Sequence, residues 1–182
     1  MVNFLLSIMA DLENLTDLQP LGGCSDDNFR YHFKPQGGCT EDNFCYHFKL
    51  KCGKCGEITQ KETYVSLVET VPLPIGKGNT HLIQKCKFCC RDGTVTMITG
   101  RGRPLTHEDS EAKKSAPLML FECRGYEPLD FVFRGEWQAV SLDGTKFTGI
   151  DLSGGEEYVD YDEKGGYPVM ISNPRAAFHV VK

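Results

Sequence analysis

Two cysteine couples, Cys52-Gly53-Lys54-Cys55 and Cys86-Lys87-Phe88-Cys89, are separated by thirty residues in this chain. Two residues between thiolates place both sulfurs on one side of a tight turn, and two such turns brought together make the tetrahedral sulfur cage that zinc prefers. The couples therefore constrain the fold more than any local propensity does, because a shared ion closes a long loop. Gly53 and Gly56 give the first couple the backbone freedom of a knuckle whose amides point at sulfur. The second couple has no glycine at its knuckle and runs straight into Cys90-Arg91. Its turn is expected to be less ideal, and Cys90 stays open as a competitor of Cys89. Cys89 is preferred because only it repeats the spacing.

The same cysteines have other readings: a thioredoxin-like redox pair, a disulfide, or buried thiols. A redox couple belongs between a strand and the first turn of a helix. Here Gly56-Glu57-Ile58-Thr59 and the β-prone Thr63-Tyr64-Val65-Ser66-Leu67 follow instead. The doubled spacing favours one zinc ion per chain held by Cys52, Cys55, Cys86 and Cys89. Four thiolates close the coordination shell, so the zinc is expected to be structural, and no catalytic residue is assigned.

At 182 residues the chain can bury a real core. The metal completes that core rather than replacing it. The formal net charge of −5 opposes a phosphate-tracking binder, so nucleic acid is not an expected partner. Lys49, Lys51, Lys54, Lys85, Lys87 and Arg91 nevertheless crowd the two couples. The simplest account is that they offset the negative charge of zinc on four thiolates. The opening run from Met1 to Ala10 lacks Lys and Arg and is followed at once by Asp11 and Glu13, which fits a strand better than a signal peptide. A cytoplasmic or nuclear location is expected, where thiols stay reduced. No stretch approaches membrane-spanning length.

Short alternating segments bounded by Gly, Pro, Asn and Asp dominate, among them Phe44–Leu50, Thr94–Ile98, Leu118–Cys123 and Phe178–Val181. No long capped stretch has helical period, so the expected fold is mostly β. A polar connection over 105–117, with one helical turn across Glu108 to Lys113, divides a zinc-bearing half at 1–104 from a second half at 118–182. A strand leading into Cys123-Arg124-Gly125 echoes the approach to the first knuckle, and Trp137–Leu142 echoes Tyr64–Leu67.

A sharper repeat lies within 22–49. Gly22 to Lys34 recurs fifteen residues later as Gly37 to Lys49, with ten of thirteen pairs identical. Each copy sets Phe, Tyr and Phe at alternate positions, so either can form the same half-buried strand, but only the second runs into Cys52. His32 and His47 alternate with these aromatics, which favours a solvated strand face over a metal role.

These segments resemble a known family. Ala10–Pro20, the Lys51-Cys52-Gly53-Lys54-Cys55-Gly56-Glu57 knuckle, Gln84-Lys85-Cys86-Lys87-Phe88-Cys89, Phe121–Pro128 and Asp160–Lys164 look like the eukaryotic CXXC-motif-containing zinc-binding proteins. The resemblance implies a mostly β protein of two structurally similar halves, with zinc in the N-terminal half on Cys52, Cys55, Cys86 and Cys89. It implies no enzyme.

Cys123 beside Arg124 invites a nucleophile, but no histidine accompanies it in sequence, and a turn with Arg124 paired to Glu127 or Asp130 is the simpler expectation. Asp160, Asp162 and Glu163 lack calcium-loop spacing and read as acidic surface. The resulting expectation is a non-enzymatic monomer that binds a protein partner or small ligand. The alternative is a metal-handling or thiol-redox protein.

Deleting residues 22–36 joins Leu21 to Gly37 and restores the sequence Gly-Gly-Cys. Denaturation and zinc analysis of that deletion are expected to show a stability change of at most about 1 kcal/mol and unchanged metal content.

Overall fold

The computed structural model describes residues 1–24 and 44–182; the first aromatic copy and most of the duplicated segment lie outside the described residues. Among the described residues the chain forms fourteen strands and one short helix. The first half supplies β1 (Val2–Glu13), β2 (Leu15–Pro20), β3 (Tyr46–Cys52), β4 (Thr63–Val65), β5 (Val71–Pro72), β6 (Asn79–Thr80), β7 (Leu82–Lys85) and β8 (Asp92–Ile98). Helix α1 (His107–Glu111) follows. Then come β9 (Ala116–Arg124), β10 (Tyr126–Val132), β11 (Trp137–Ser141), β12 (Lys146–Ile150), β13 (Tyr158–Asp162) and β14 (Tyr167–Val181). No helix among the described residues is long and apolar enough to cross a membrane.

The strand order shows how the halves correspond. A curled six-stranded sheet runs β13-β14-β1-β9-β8-β7, and two three-stranded sheets run β10-β3-β4 and β12-β11-β2. Exchanging β1 with β9, β14 with β8, β13 with β7, β2 with β10, β3 with β11 and β4 with β12 reproduces the arrangement. The halves are thus topological equivalents about a pseudo-twofold between β1 and β9. The counterpart of β3 is β11, so the sequence echo between Trp137–Leu142 and Tyr64–Leu67 matches strands that do not correspond. Strand rhythm is too generic to carry register.

Each half lends two consecutive strands to the other, β1 pairing with β14 and β9 with β8 before the chain turns into β2 and β10. The backbone turns sharply at Asn14 (φ 56°) between β1 and β2, and at Gly125 (φ 76°) between β9 and β10. Asn and Gly are the residues that adopt this left-handed conformation at least cost. Beyond each turn the chain pairs with the opposite half: β10 lies on β3 with Tyr126 opposite Cys52, and β2 lies on β11 with Leu15 opposite Ser141. Gly53 N–H donates to Gly125 O at 3.0 Å, and Leu142 N–H donates to Asn14 O at 3.2 Å, as the same contact on the two sides.

The period-two pattern of the aromatic strand is realised in β3, where Tyr46, Phe48, Leu50 and Cys52 are buried while Lys51 is exposed. Their rings cross the boundary between halves. Phe44 meets Trp137 at 5.4 Å, Tyr46 meets Phe121 at 5.9 Å, and Phe48 meets Phe121 and Phe178 at 5.4 and 5.7 Å, all edge-on. Such geometry adds to the burial of large apolar area. His47, on the opposite face, is half-buried beside the Tyr64 ring rather than fully solvated.

The connection before β9 is polar in sequence yet partly interior. Leu105 is fully buried and bridges to Leu18, and the Ser110 hydroxyl of α1 accepts from Leu12 N–H at 2.8 Å. Thr106 and Asp109 form a reciprocal cap for α1.

One close approach fixes how β10 meets β8. A Cβ on Gly93 would stand 2.5 Å from Arg124 O and would run into the Tyr126 ring. Gly93→Ala is expected to cost about 1–3 kcal/mol by overpacking, read as a lower denaturation midpoint of the zinc-loaded protein.

Candidate metal centre

Strand β3 ends at Cys52, and the knuckle after it is closed by Gly56 N–H donating to Cys52 O at 2.9 Å, with Gly56 at φ 76°. The second knuckle, between β7 and β8, closes in the same way, with Cys90 N–H donating to Cys86 O at 3.0 Å and Cys90 at φ 58°. The turn expected to be less ideal is therefore fully formed. Cys90 fills the left-handed position that glycine fills in the first knuckle, at the conformational cost of carrying a side chain there.

The four sulfurs converge. Cys52 Sγ lies 3.7 Å from Cys89 Sγ, Cys55 Sγ lies 3.6 Å from Cys86 Sγ, and the sulfurs of Cys52, Cys55, Cys86 and Cys89 all fall within 4.8 Å of one another. A zinc–sulfur distance of about 2.3 Å gives a tetrahedron with edges of about 3.8 Å. The donor set and its spacing thus fit one zinc ion. Backbone N–H groups of Cys55 and Lys54 aimed at the Cys52 sulfur hold its thiol down to about 6. The Cys89 amide, helped by that of Phe88, holds Cys86 below the usual thiol range. The first cysteine of each knuckle is thus held toward the thiolate that binds metal, whereas at Cys55 the Glu57 amide is outweighed by desolvation and the neighbouring sulfurs, which push its thiol up to about 12. Cys52 and Cys86 are buried, Cys89 is half-buried and Cys55 is exposed.

The second half roofs this centre. Tyr126, at the start of β10, is buried, and desolvation followed by the Cys86 and Cys52 sulfurs pushes its phenol up to about 12. Around it the lysines divide into two sets. Lys51 reaches Glu127 at 3.9 Å and Lys49 reaches Asp130 at 4.0 Å, both across the β3–β10 ladder. Among the described residues Lys54, Lys85, Lys87 and Arg91 form no ion pair. Arg124 pairs with Glu122 at 3.7 Å rather than with Glu127 or Asp130. Residues two apart on a strand share a face, whereas the register of β10 commits Glu127 to Lys51.

Two other sequence candidates resolve differently. Cys123 is buried, and desolvation raises its thiol to about 12, which makes it a poor nucleophile. Asp162 is not acidic surface: it is fully buried at the turn between β13 and β14. It occupies the position that Cys86 holds in the first half, as shown by Gly166 N–H donating to Asp162 O, the same closure that Cys90 makes on Cys86. Its Oδ1 accepts from Thr145 Oγ1 at 2.8 Å and Lys164 N–H at 3.0 Å. A hydrogen-bonded carboxylate here joins the two turns that the four sulfurs bring together in the first half. Neither Asp162 nor Tyr126 was legible in the sequence, because each belongs to a turn whose partner is distant.

A pocket of about 480 Å³ lies beside the centre, between the halves. Met1, Val2, Phe4, Cys123 and Val180 give it an apolar side, and Arg91 and Glu127 bring opposite charges to a lining that is polar and apolar in nearly equal measure.

A closed four-sulfur cage on an all-β scaffold defines a zinc-binding protein, and comparison with known proteins supplies the family. Residues 35–179 match the family described as CXXC motif containing zinc binding protein, eukaryotic. The proteins of that name from Xenopus laevis and Homo sapiens are 37% and 35% identical, over 94% and 91% of both chains. A solved structure described as that of C1orf123 superposes with a TM-score of 0.79 at 32% identity, covering 98% of this chain and 99% of that one. A hypothetical protein from Plasmodium falciparum shares the fold, with a TM-score of 0.74 at 18% identity. This chain belongs to the eukaryotic CXXC-motif-containing zinc-binding family.

Because Cys90 serves the turn through its backbone, Cys90→Gly is expected to keep one zinc per chain. Release of the left-handed strain offsets the entropy of glycine, leaving stability unchanged or raised by up to about 1 kcal/mol. Elemental analysis and thermal denaturation check both halves of that expectation.

Proposed function

We propose that Cys52, Cys55, Cys86 and Cys89 hold one structural zinc ion and that the knuckle end of this non-enzymatic protein docks an acidic protein partner. The observation that carries the reading is Phe88. It stands at the tip of the second knuckle, 78% exposed, in a stretch flanked by Lys85, Lys87 and Arg91, with Lys54 on the opposing knuckle. A large apolar side chain held rigidly in water beside cations without acidic partners has the composition of a docking anchor, with hydrophobic contact for affinity and charge for steering. Four thiolates leave the metal no open position for a substrate. Such a centre works where thiols stay reduced, in the cytoplasm or nucleus.

A specific observation favours a second reading. Cys55 is exposed, so one sulfur is reachable by a competing ligand, as metal transfer requires. Zinc that leaves within seconds of meeting a chelator would support metal handling, whereas zinc that stays for hours supports the structural role.

The docking reading is tested with Lys54→Glu/Lys87→Glu protein. Partners captured by the wild type at low salt are expected to associate more slowly with the variant and with weaker salt dependence, because exposed charges act over about 8–10 Å. Zinc content and melting are expected to be unchanged. Capture and kinetics indifferent both to the replacements and to salt would remove this face as the docking site. Cys52→Ser, by contrast, is expected to lose the metal and lower the denaturation midpoint.

A further inference from the structure

The zinc cage is built wholly from first-half residues, yet one polar group of the second half is buried against it. The Tyr126 hydroxyl is shielded from solvent and completes no full-strength hydrogen bond among the described residues, with the Cys86 sulfur as the side chain beside it. The charged groups it faces are the sulfurs of Cys86, Cys52 and Cys89. A buried phenol without a partner is costly, and a neighbouring thiolate is an acceptor that relieves that cost. The ring cannot turn away. It lies on Gly93, where no side chain would fit, and Tyr126 is held in register opposite Cys52 by the β10–β3 ladder.

The pseudo-twofold supplies an internal control. The counterpart of Tyr126 is Leu15, which starts β2 and lies opposite Ser141 as Tyr126 lies opposite Cys52. There the turns are joined by Asp162, whose Oδ1 receives Thr145 and Lys164, and the roofing residue is apolar. The hydroxyl occurs on the side that carries the thiolates.

We infer that Tyr126 is a positioning residue that donates from the second half to the Cys86 thiolate, tightening the hold on the ion and tying metal occupancy to the packing of the halves. A hydrogen bond to one sulfur offsets part of the net negative charge of zinc on four thiolates, eases their mutual repulsion and fixes that sulfur's direction. This rests on the four-cysteine assignment.

The test uses the full chain loaded with zinc, and separately with cobalt(II). Tyr126→Phe keeps the ring on Gly93 and removes only the donor, whereas Tyr126→Leu copies the counterpart. Zinc release to a chromogenic chelator is expected to be about 10-fold faster or more in both variants, the scale of outer-shell changes at metal sites. The sulfur-to-cobalt charge-transfer band of Tyr126→Phe is expected to shift, which loss of packing alone would not do. Wild-type release and an unshifted band in Tyr126→Phe overturn the assignment while leaving the cage in place. Wild-type protein that takes up no zinc would overturn the cage itself, and this inference with it.

Discussion

The exchange of β1–β2 for β9–β10 between the halves governs the whole architecture. Left-handed turns at Asn14 and Gly125 let the chain pass from the six-stranded sheet into a small sheet of the other half, so neither half completes its small sheet alone. The aromatic cluster forms in the space this creates, with Phe44, Tyr46 and Phe48 from one half against Phe121, Trp137 and Phe178 from the other. Burial of that much aromatic surface at a shared boundary makes the two halves one core.

The same symmetry sets the four-sulfur site beside its counterpart. Each half has two turns that must be brought together, after β3 and β7 in the first and after β11 and β13 in the second. In the first half four sulfurs at tetrahedral separations do it; in the second Asp162 does, accepting from both turns. A buried carboxylate oxygen that accepts from two turns and an ion with ligands from two turns are alternative solutions to one problem, since either cross-links separate chain segments. The carboxylate solution is self-contained, whereas the metal solution makes the first half depend on an ion and on thiols that stay reduced.

Much of the strand content was legible. Alternation at Phe44–Leu50, Thr94–Ile98 and Leu118–Cys123 placed β3, β8 and β9, because a half-buried strand writes its two faces into every second residue. The cysteine spacing identified the converging set for a similar reason: ligand geometry at a knuckle is local. Pairings were less legible. Arg124 was expected at Glu127 or Asp130 and sits with Glu122, since which strand lies beside β10 is a long-range choice. Asp162 read as surface because the side chain that donates to it, Thr145, lies on another turn.

Residue type at short spacing was enough for the mostly β character, the four sulfurs and the basic end around them. Folding in three dimensions settled that β2 and β10 lie on the opposite half, that Cys90 closes a turn with its backbone, that Tyr126 roofs the cage and that Asp162 stands where a cysteine stands in the other half. The physical reason is the range of the interactions. Periodicity and knuckle geometry act over a few residues, whereas a pseudo-twofold packing of two halves is settled by contacts between segments up to a hundred or more positions apart, such as Gly53 with Gly125 and Asn14 with Leu142.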